Sequence, residues 1–139
     1  MYDTILVPVD GSDPSNRAVE HAFELAERFD AAIHAIHVVD THRYGEPALS
    51  STELVVDELE ARGHDLLEEL MDRADNIGVA VEPRVCHGDP ADEIVAHADA
   101  VDADLVVVGF QGQSHRRPGR LGSVADRVLR SVDRPVLVA

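Results

Sequence analysis

The 139-residue chain has no lysine, no tryptophan and only one cysteine, Cys86. One cysteine excludes an internal disulfide and a cysteine-rich metal site. Cys86 lies in a stretch typical of a strand, which favours a small buried residue over a reactive thiol. No apolar run approaches the ~20 residues of a membrane helix, and the N-terminus, MYDTILVPVD, lacks the pattern of a signal peptide. We therefore expect a soluble, cytoplasmic protein with a single domain over residues 1–139.

Because lysine is missing, all twelve basic residues are arginine, and 27 acidic residues outnumber them, for a formal net charge of −15. A surface this acidic repels nucleic acid and anionic membranes, so neither is expected as a partner. It could attract a basic partner. The favoured explanation is a halophilic protein, whose self-repulsion is screened by counterions in a high-salt cytoplasm.

Hydrophobic periodicity predicts strands and helices in alternation. Strands are predicted over 3–9, 31–39, 79–86, 104–108 and 136–139. Helices are predicted from the N-cap Asp13 and Pro14 to about residue 30, over 52–76, after Asp89-Pro90, and from Ser123 onward. Residues 40–51 are predicted to be a loop, Gly63 interrupts the second helical pattern, and Pro83 indicates an edge strand or a bulge. This order predicts a parallel sheet covered by helices on both faces, with ligands bound beyond the carboxyl ends of the strands.

The stretch after the fourth strand is rich in glycine and ends where the last helix begins. It passes through Gly109, Gly112 and Gly122 and reaches Ser123 at the helix start. Glycines let the backbone approach a ligand closely, and a helix start offers free N–H groups and the positive end of a dipole. This combination predicts an anion-binding site.

The charge distribution supports an anion at this place. No acidic residue occurs between Asp104 and Asp126, whereas Arg116, Arg117 and Arg120 all fall inside that gap. These arginines could clamp phosphates or only balance local charge.

The spacing G-x2-G-x9-G-S, from Gly109 to Ser123, resembles the nucleotide-binding signature of the universal stress protein family. The resemblance spans the chain, because ILVPVDGS near the start, HVVD closing the second strand, VVVG leading into the signature and PVLV at the end are similar to landmarks of that family. Neither the P-loop pattern nor the dinucleotide pattern GxGxxG occurs, which disfavours those nucleotide folds.

The resemblance implies a Rossmann-like α/β fold of the adenine nucleotide alpha hydrolase-like type. This fold is a three-layer sandwich with a five-stranded parallel sheet in the order 3-2-1-4-5. The resemblance also implies that the chain binds ATP, alone or with Mg²⁺, and that it forms a homodimer through its last strand.

The site residues implied by the resemblance fall into three groups. Pro8, Val9 and Asp10 are expected beside the adenine and ribose, and Val38 is expected to meet the adenine edge through its backbone. Val108, Gly109, Gln111 and Gly112 are expected beneath the ribose and phosphates. Gly122, Ser123, Val124 and Ala125 are expected at the phosphates, where free N–H groups and a hydroxyl are suitable donors.

Two of these residues depart from the family pattern. Gln111 stands where many members have His, and its amide can still form hydrogen bonds. Ala125 stands where many members have Ser or Thr, so one phosphate-side hydroxyl, with a hydrogen bond of ~1 kcal/mol, is missing.

Three further features have alternative interpretations. Asp10 could coordinate a divalent metal, but capping its turn and touching the ribose is favoured, since a lone carboxylate holds Mg²⁺ only with phosphate help. His34 and His37 lie three apart in a strand and so face opposite sides of the sheet, which argues against a shared ligand. The last strand could pair with a second copy or be covered by its own helix.

The sequence thus predicts an adenine-nucleotide-binding stress regulator or switch. No general base is evident, so catalysis would be limited to slow ATP hydrolysis or autophosphorylation. One alternative is a dimeric stress-related interaction protein with a degenerate nucleotide site, and another is an adenylate-handling enzyme of a related superfamily. The sequence does not distinguish ATP from AMP or cyclic AMP, because the implied adenine contacts are mostly made by backbone.

Overall fold

Strands and helices alternate along the chain in the computed structural model, which describes residues 1–41, 50–112 and 120–139. The strands are β1 (Thr4–Pro8), β2 (Ala32–Asp40), β3 (Val81–Gly88), β4 (Leu105–Val108) and β5 (Val136–Val138). The helices are α1 (Asp13–Phe29), α2 (Ser50–Ile77), α3 (Pro90–Ala100) and α4 (Ser123–Ser131). The predicted loop is therefore wrong at both ends, because Asp40 belongs to β2 and Ser50 to α2, and residues 42–49 lie outside the described residues.

The five strands form one parallel sheet in the order β3-β2-β1-β4-β5. The central strand β1 pairs with β2 on one side, where Thr4 lies opposite Ala32, and with β4 on the other, where Ile5 lies opposite Leu105. The expected order 3-2-1-4-5 and the Rossmann-like, adenine nucleotide alpha hydrolase-like fold are confirmed. The edge position that Pro83 indicated for β3 is confirmed as well.

Two hydrophobic clusters cover the two faces of the sheet, as expected for parallel strands buried on both sides. Along β1 the side chains of Ile5 and Val7 point to the cluster that includes residues of α1 and α2, while Leu6 points to the opposite cluster with residues of α3 and α4. All three side chains are fully buried. The helices thus form the two outer layers of a three-layer sandwich.

The first helix begins differently from the sequence prediction. The N-cap of α1 is Ser12 and not Asp13, because the Ser12 hydroxyl accepts a hydrogen bond from the Ser15 N–H (3.3 Å). The predicted cap of α3 is confirmed, since the Asp89 carboxylate accepts from the Asp92 N–H (3.1 Å).

Helix α2 is continuous through Gly63, where the sequence pattern is interrupted. A Cβ atom at this position would lie 2.3 Å from Cδ2 of His37 on β2. Glycine is therefore required here by close packing between helix and sheet, and not by an end of the helix.

Cys86 lies on β3 and packs, half-buried, against the cluster beneath α3. Burial raises the pKa of its thiol, and the nearby Glu93 carboxylate raises that pKa further. The thiolate is therefore disfavoured, in agreement with a packing role. Among the described residues, no helix is both long enough and apolar enough to span a bilayer.

Candidate functional site

The carboxyl ends of β1, β2 and β4 open into one cleft with a volume of about 420 Å³. Parallel strands end at the same edge of the sheet, and for this reason residues distant in sequence meet there. All twelve site residues expected from the sequence line this cleft: Pro8, Val9, Asp10, Val38, Val108, Gly109, Gln111, Gly112, Gly122, Ser123, Val124 and Ala125.

The turn after β1 holds the Asp10 carboxylate in place. Asp10 Oδ1 accepts hydrogen bonds from the Ser12 N–H (2.9 Å) and the Ser12 hydroxyl (2.5 Å). The Asp10 N–H donates to the hydroxyl of Ser15 (3.1 Å), a buried residue on the first turn of α1. This geometry supports the turn-capping interpretation of Asp10. Within the described ranges, no group of three metal-ligating side chains is positioned to hold an ion.

The glycines of the signature bring three backbone segments together. A Cβ on Gly109 would lie 2.7 Å from the Pro14 carbonyl carbon, so the loop after β4 contacts the start of α1. A Cβ on Gly112 would lie 2.8 Å from Asp10 Oδ2, and one on Gly122 would lie 3.1 Å from the Gln111 Cα. Side chains at these positions would push the neighbouring segments apart, so glycine is needed for the close packing around the cleft.

The start of α4 differs from the starts of α1 and α3. Gly122 is its N-cap, and, in the part of the chain that the structure describes, no side chain caps its first turn. The Gly122 N–H donates to the Phe110 carbonyl (2.6 Å), which anchors the helix start beside the loop after β4. The N–H groups of residues 123–125 lie at this helix start beside the cleft, where the helix dipole favours negative charge.

The two ends of the glycine-rich loop are joined by a side chain. Gln111 Nε2 donates to the carbonyl oxygen of Arg120 (2.8 Å), so the amide at this position does form a hydrogen bond. Arg120 is exposed. The candidate phosphate clamps Arg116 and Arg117 and the neighbouring His115 lie outside the described residues.

Comparison with known proteins agrees with this architecture. The sequence profile of the universal stress protein family matches residues 1–139. This chain belongs to the universal stress protein family. A universal stress protein of Methanocaldococcus jannaschii is 40% identical over 139 residues, which cover 99% of this chain and 82% of the relative.

Two solved structures of universal stress proteins with nucleotides are similar to this family member. One, in complex with cAMP, is 33% identical with a TM-score of 0.74, over 99% of this chain and 96% of that one. The other, from Archaeoglobus fulgidus in complex with dAMP, is 26% identical with a TM-score of 0.70, over 99% and 97%. Members of the family therefore bind adenine nucleotides.

The cleft of this universal stress protein has further walls that sequence reasoning missed. They are Ser15, Ile36, His37, Val39, Asp40, Leu59, Arg62, Leu66, Pro90 and Ile94. His37 and Asp40 are the first and last residues of the HVVD landmark and could have been found from their position at the end of β2. Leu59, Arg62 and Leu66 belong to α2, and no local pattern indicates which turn of a long helix lies over a site.

Proposed function

We propose that this chain binds an adenine nucleotide in the cleft, with ATP as the principal ligand, and acts as a cytoplasmic stress regulator or switch. The observation that carries the proposal is the start of α4, which faces the cleft and has no side-chain cap among the described residues. The starts of α1 and α3, at the same edge of the sheet, are capped by Ser12 and Asp89. A ligand with acceptor oxygens would complete the first turn of α4.

The chemistry of the cleft supports the two halves of such a ligand. The signature glycines and the Ser123 hydroxyl suit phosphates at one side. Val38, Leu59 and Leu66, which are only half-buried in the lining, supply apolar surface for a base. A volume of about 420 Å³ falls within the ~300–1,000 Å³ common for small-molecule sites.

Adenine is favoured as the base by the relatives that were crystallised with cAMP and dAMP. Mg²⁺ would be held mainly by the phosphates of the nucleotide, with help from Asp10, a carboxylate that Ser12 holds in place at the cleft. Catalysis would be limited to slow ATP hydrolysis or autophosphorylation, since Asp10 is already engaged by Ser12.

Calorimetric titration of the full chain, stripped of nucleotide, tests the proposal. Mg-ATP, AMP and cyclic AMP would be titrated in molar KCl into the wild type, Gly122→Val and Ser123→Ala. We expect ATP binding that Gly122→Val abolishes and Ser123→Ala weakens about tenfold, the effect of one hydrogen bond to a charged group. Ser131→Ala, at the opposite end of α4, is the matched control. No binding of any nucleotide by the folded wild type would refute the proposal.

We also infer a homodimer through β5. Such a dimer would also be the basis of the alternative function, a dimeric interaction protein with a degenerate nucleotide site. β5 is an edge strand on which Val138 is 39% exposed, and Leu129 on α4, the helix that precedes β5 in the chain, is 44% exposed. Unpaired strand edges favour association with a second copy. Light scattering of the wild type and Val138→Arg in molar KCl tests this, with a wild-type monomer as the contrary result.

A halophilic origin explains the net charge of −15. We expect the melting temperature to rise from low salt to molar KCl, because counterions screen the repulsion among carboxylates. A melting temperature indifferent to KCl would contradict it.

A further inference from the structure

The backbone hydrogen bonds between β1 and β2 end one bond earlier than a regular parallel ladder would. The Val9 N–H donates to the Ile36 carbonyl (2.8 Å), which completes the last pair, Pro8 opposite Ile36. In a regular parallel ladder the next bond would run from the Val38 N–H to the Val9 carbonyl. That bond does not form between these two described residues.

A side chain takes the place of that bond. His37 Nδ1 lies 2.7 Å from the Val9 carbonyl oxygen. Because a carbonyl can only accept, Nδ1 carries the proton and donates it. The Val9 carbonyl is thus occupied by an imidazole at the point where the strand partner would otherwise bind it.

The His37 imidazole packs against α2 at Gly63, which has no side chain. A Cβ on Gly63 would lie 2.3 Å from His37 Cδ2 and 3.1 Å from Nε2, so a larger residue would displace the ring. Gly63 and His37 therefore form a matched pair between helix and sheet. Arg62 and Leu66, on either side of this contact in sequence, line the cleft.

The consequence falls on the backbone of Val38. The N–H and carbonyl of one residue in an extended strand point to the same side, and those of Ile36 point toward β1. Because alternate residues of β2 direct their backbone groups to the same neighbour, the N–H and carbonyl of Val38 also point to the side of β1. β1 has already ended at this level of the sheet. A donor and an acceptor that lie side by side in the cleft match the ring nitrogen and amino group of an aminopurine.

We propose that His37 is a positioning residue for the nucleobase: it takes the Val9 carbonyl, ends the β1–β2 ladder, and so leaves the Val38 peptide open to the ligand. Gly63 makes this possible by leaving room for the ring. The inference rests on the proposed function for the identity of the ligand, but the effect of His37 on the β1–β2 ladder exists without any ligand.

Two measurements on the same variants test the proposal, namely amide hydrogen exchange of Val38 by NMR and calorimetric affinity for Mg-ATP. The variants are His37→Leu, His37→Asn and Gly63→Ala. The Asn amide nitrogen can stand near the position of Nδ1 and donate to Val9, whereas Leu fills the space without a donor. His34→Leu is the matched control, because His34 lies on the same strand but faces the other side of the sheet, against His97.

In the wild type we expect rapid exchange at Val38 that ATP slows. In His37→Leu without nucleotide, the Val38 amide should exchange about tenfold more slowly, because the released Val9 carbonyl can now accept from it, and ATP affinity should fall about tenfold. His37→Asn and His34→Leu should resemble the wild type. Gly63→Ala should change both quantities in the direction of His37→Leu, by a smaller factor.

A purely structural role for His37 predicts the opposite sign, namely faster exchange at Val38 in a destabilised protein. Faster or unchanged exchange in His37→Leu would overturn the proposal. So would the failure of His37→Asn to restore ATP affinity lost in His37→Leu. If the wild type binds no nucleotide, the proposed function fails, and exchange at Val38 still decides the role of His37 in the ladder.

Discussion

Gly112 packs directly against the Asp10 carboxylate in the cleft, since a Cβ on residue 112 would lie only 2.8 Å from Asp10 Oδ2. The turn after β1 and the loop after β4 can approach because residue 112 has no side chain. The other carboxylate oxygen, Oδ1, is held by Ser12 and cannot swing away without losing two hydrogen bonds.

Replacing Gly112 with Ala should therefore weaken nucleotide binding through Asp10. We expect ATP affinity to fall at least about tenfold, because the carboxylate must shift and break one or both bonds to Ser12. The measurement is a double-mutant cycle by calorimetry with Asp10→Ala. Once Asp10 is truncated, Gly112→Ala should cost nothing further. Additive losses would show that Gly112 acts independently of Asp10.

Replacing Gly109 with Ala should destabilise the fold itself. A Cβ there would lie 2.7 Å from the Pro14 carbonyl carbon and 2.8 Å from the Ser15 nitrogen, and backbone atoms cannot move aside as a side chain can. We expect a loss of about 2 kcal/mol in the free energy of unfolding, as for other overpacked sites. Urea unfolding in molar KCl measures it. Gly122→Ala, whose nearest contact would be 3.1 Å, should lose less, and an equal loss would argue against backbone overlap as the cause.

Arg134 should contribute more to stability than the other arginines near it. Its side chain is 15% exposed, and Nη1 donates to the carbonyl of Ala98 (2.7 Å) in the last turn of α3 and to that of Ala103 (3.0 Å) beyond the helix end. Arg134→Met should lower the free energy of unfolding by about 2 kcal/mol, since the carbonyls of Ala98 and Ala103 both lose their hydrogen bond from the charged guanidinium. Arg130→Met breaks only an exposed ion pair with Asp126 and should change it by less than about 0.5 kcal/mol. Equal effects in urea unfolding would contradict this ranking.

His97 should make the protein less stable as the pH falls below neutrality. Burial lowers its pKa, and so do Arg84 on β3 and His34 on β2, whose ring lies 5.9 Å from that of His97. The unfolded chain then takes up a proton near pH 6.5 that the folded chain binds only at lower pH, so the free energy of unfolding falls as pH drops through this window. His97→Gln should flatten the profile between pH 7 and 5. His21→Gln, at an exposed position of α1, should leave it unchanged, and an unaltered profile in His97→Gln would contradict the assignment.

Local pattern was sufficient to predict most of the fold. Alternating apolar runs predicted all five strands, and the cap Asp89 followed by Pro90 predicted the start of α3, because caps and periodicity act over a few neighbouring residues. The cap of α1 was wrong by one residue, since both Ser12 and Asp13 are good caps and only the bond from Ser15 selects Ser12.

The residues around the cleft were predictable where they follow a strand directly. Asp10 and Gly109 follow β1 and β4, and Val38 lies near the end of β2; the carboxyl ends of these strands meet at one edge of a parallel sheet, so topology brings the three residues together. Arg62 and Leu66 were missed because their place depends on how α2 packs across β2.

By itself, the sequence determined the order of the elements, the parallel sheet and the glycine-rich start of α4, because hydrophobic periodicity and backbone preferences are properties of short segments. Only the tertiary structure decided that His37 takes the Val9 carbonyl, that Gly63 makes room for its ring, and that none of the described side chains caps the start of α4 at the cleft. These contacts join segments that are distant in sequence, and the local preferences of each segment do not determine how closely the two segments approach each other.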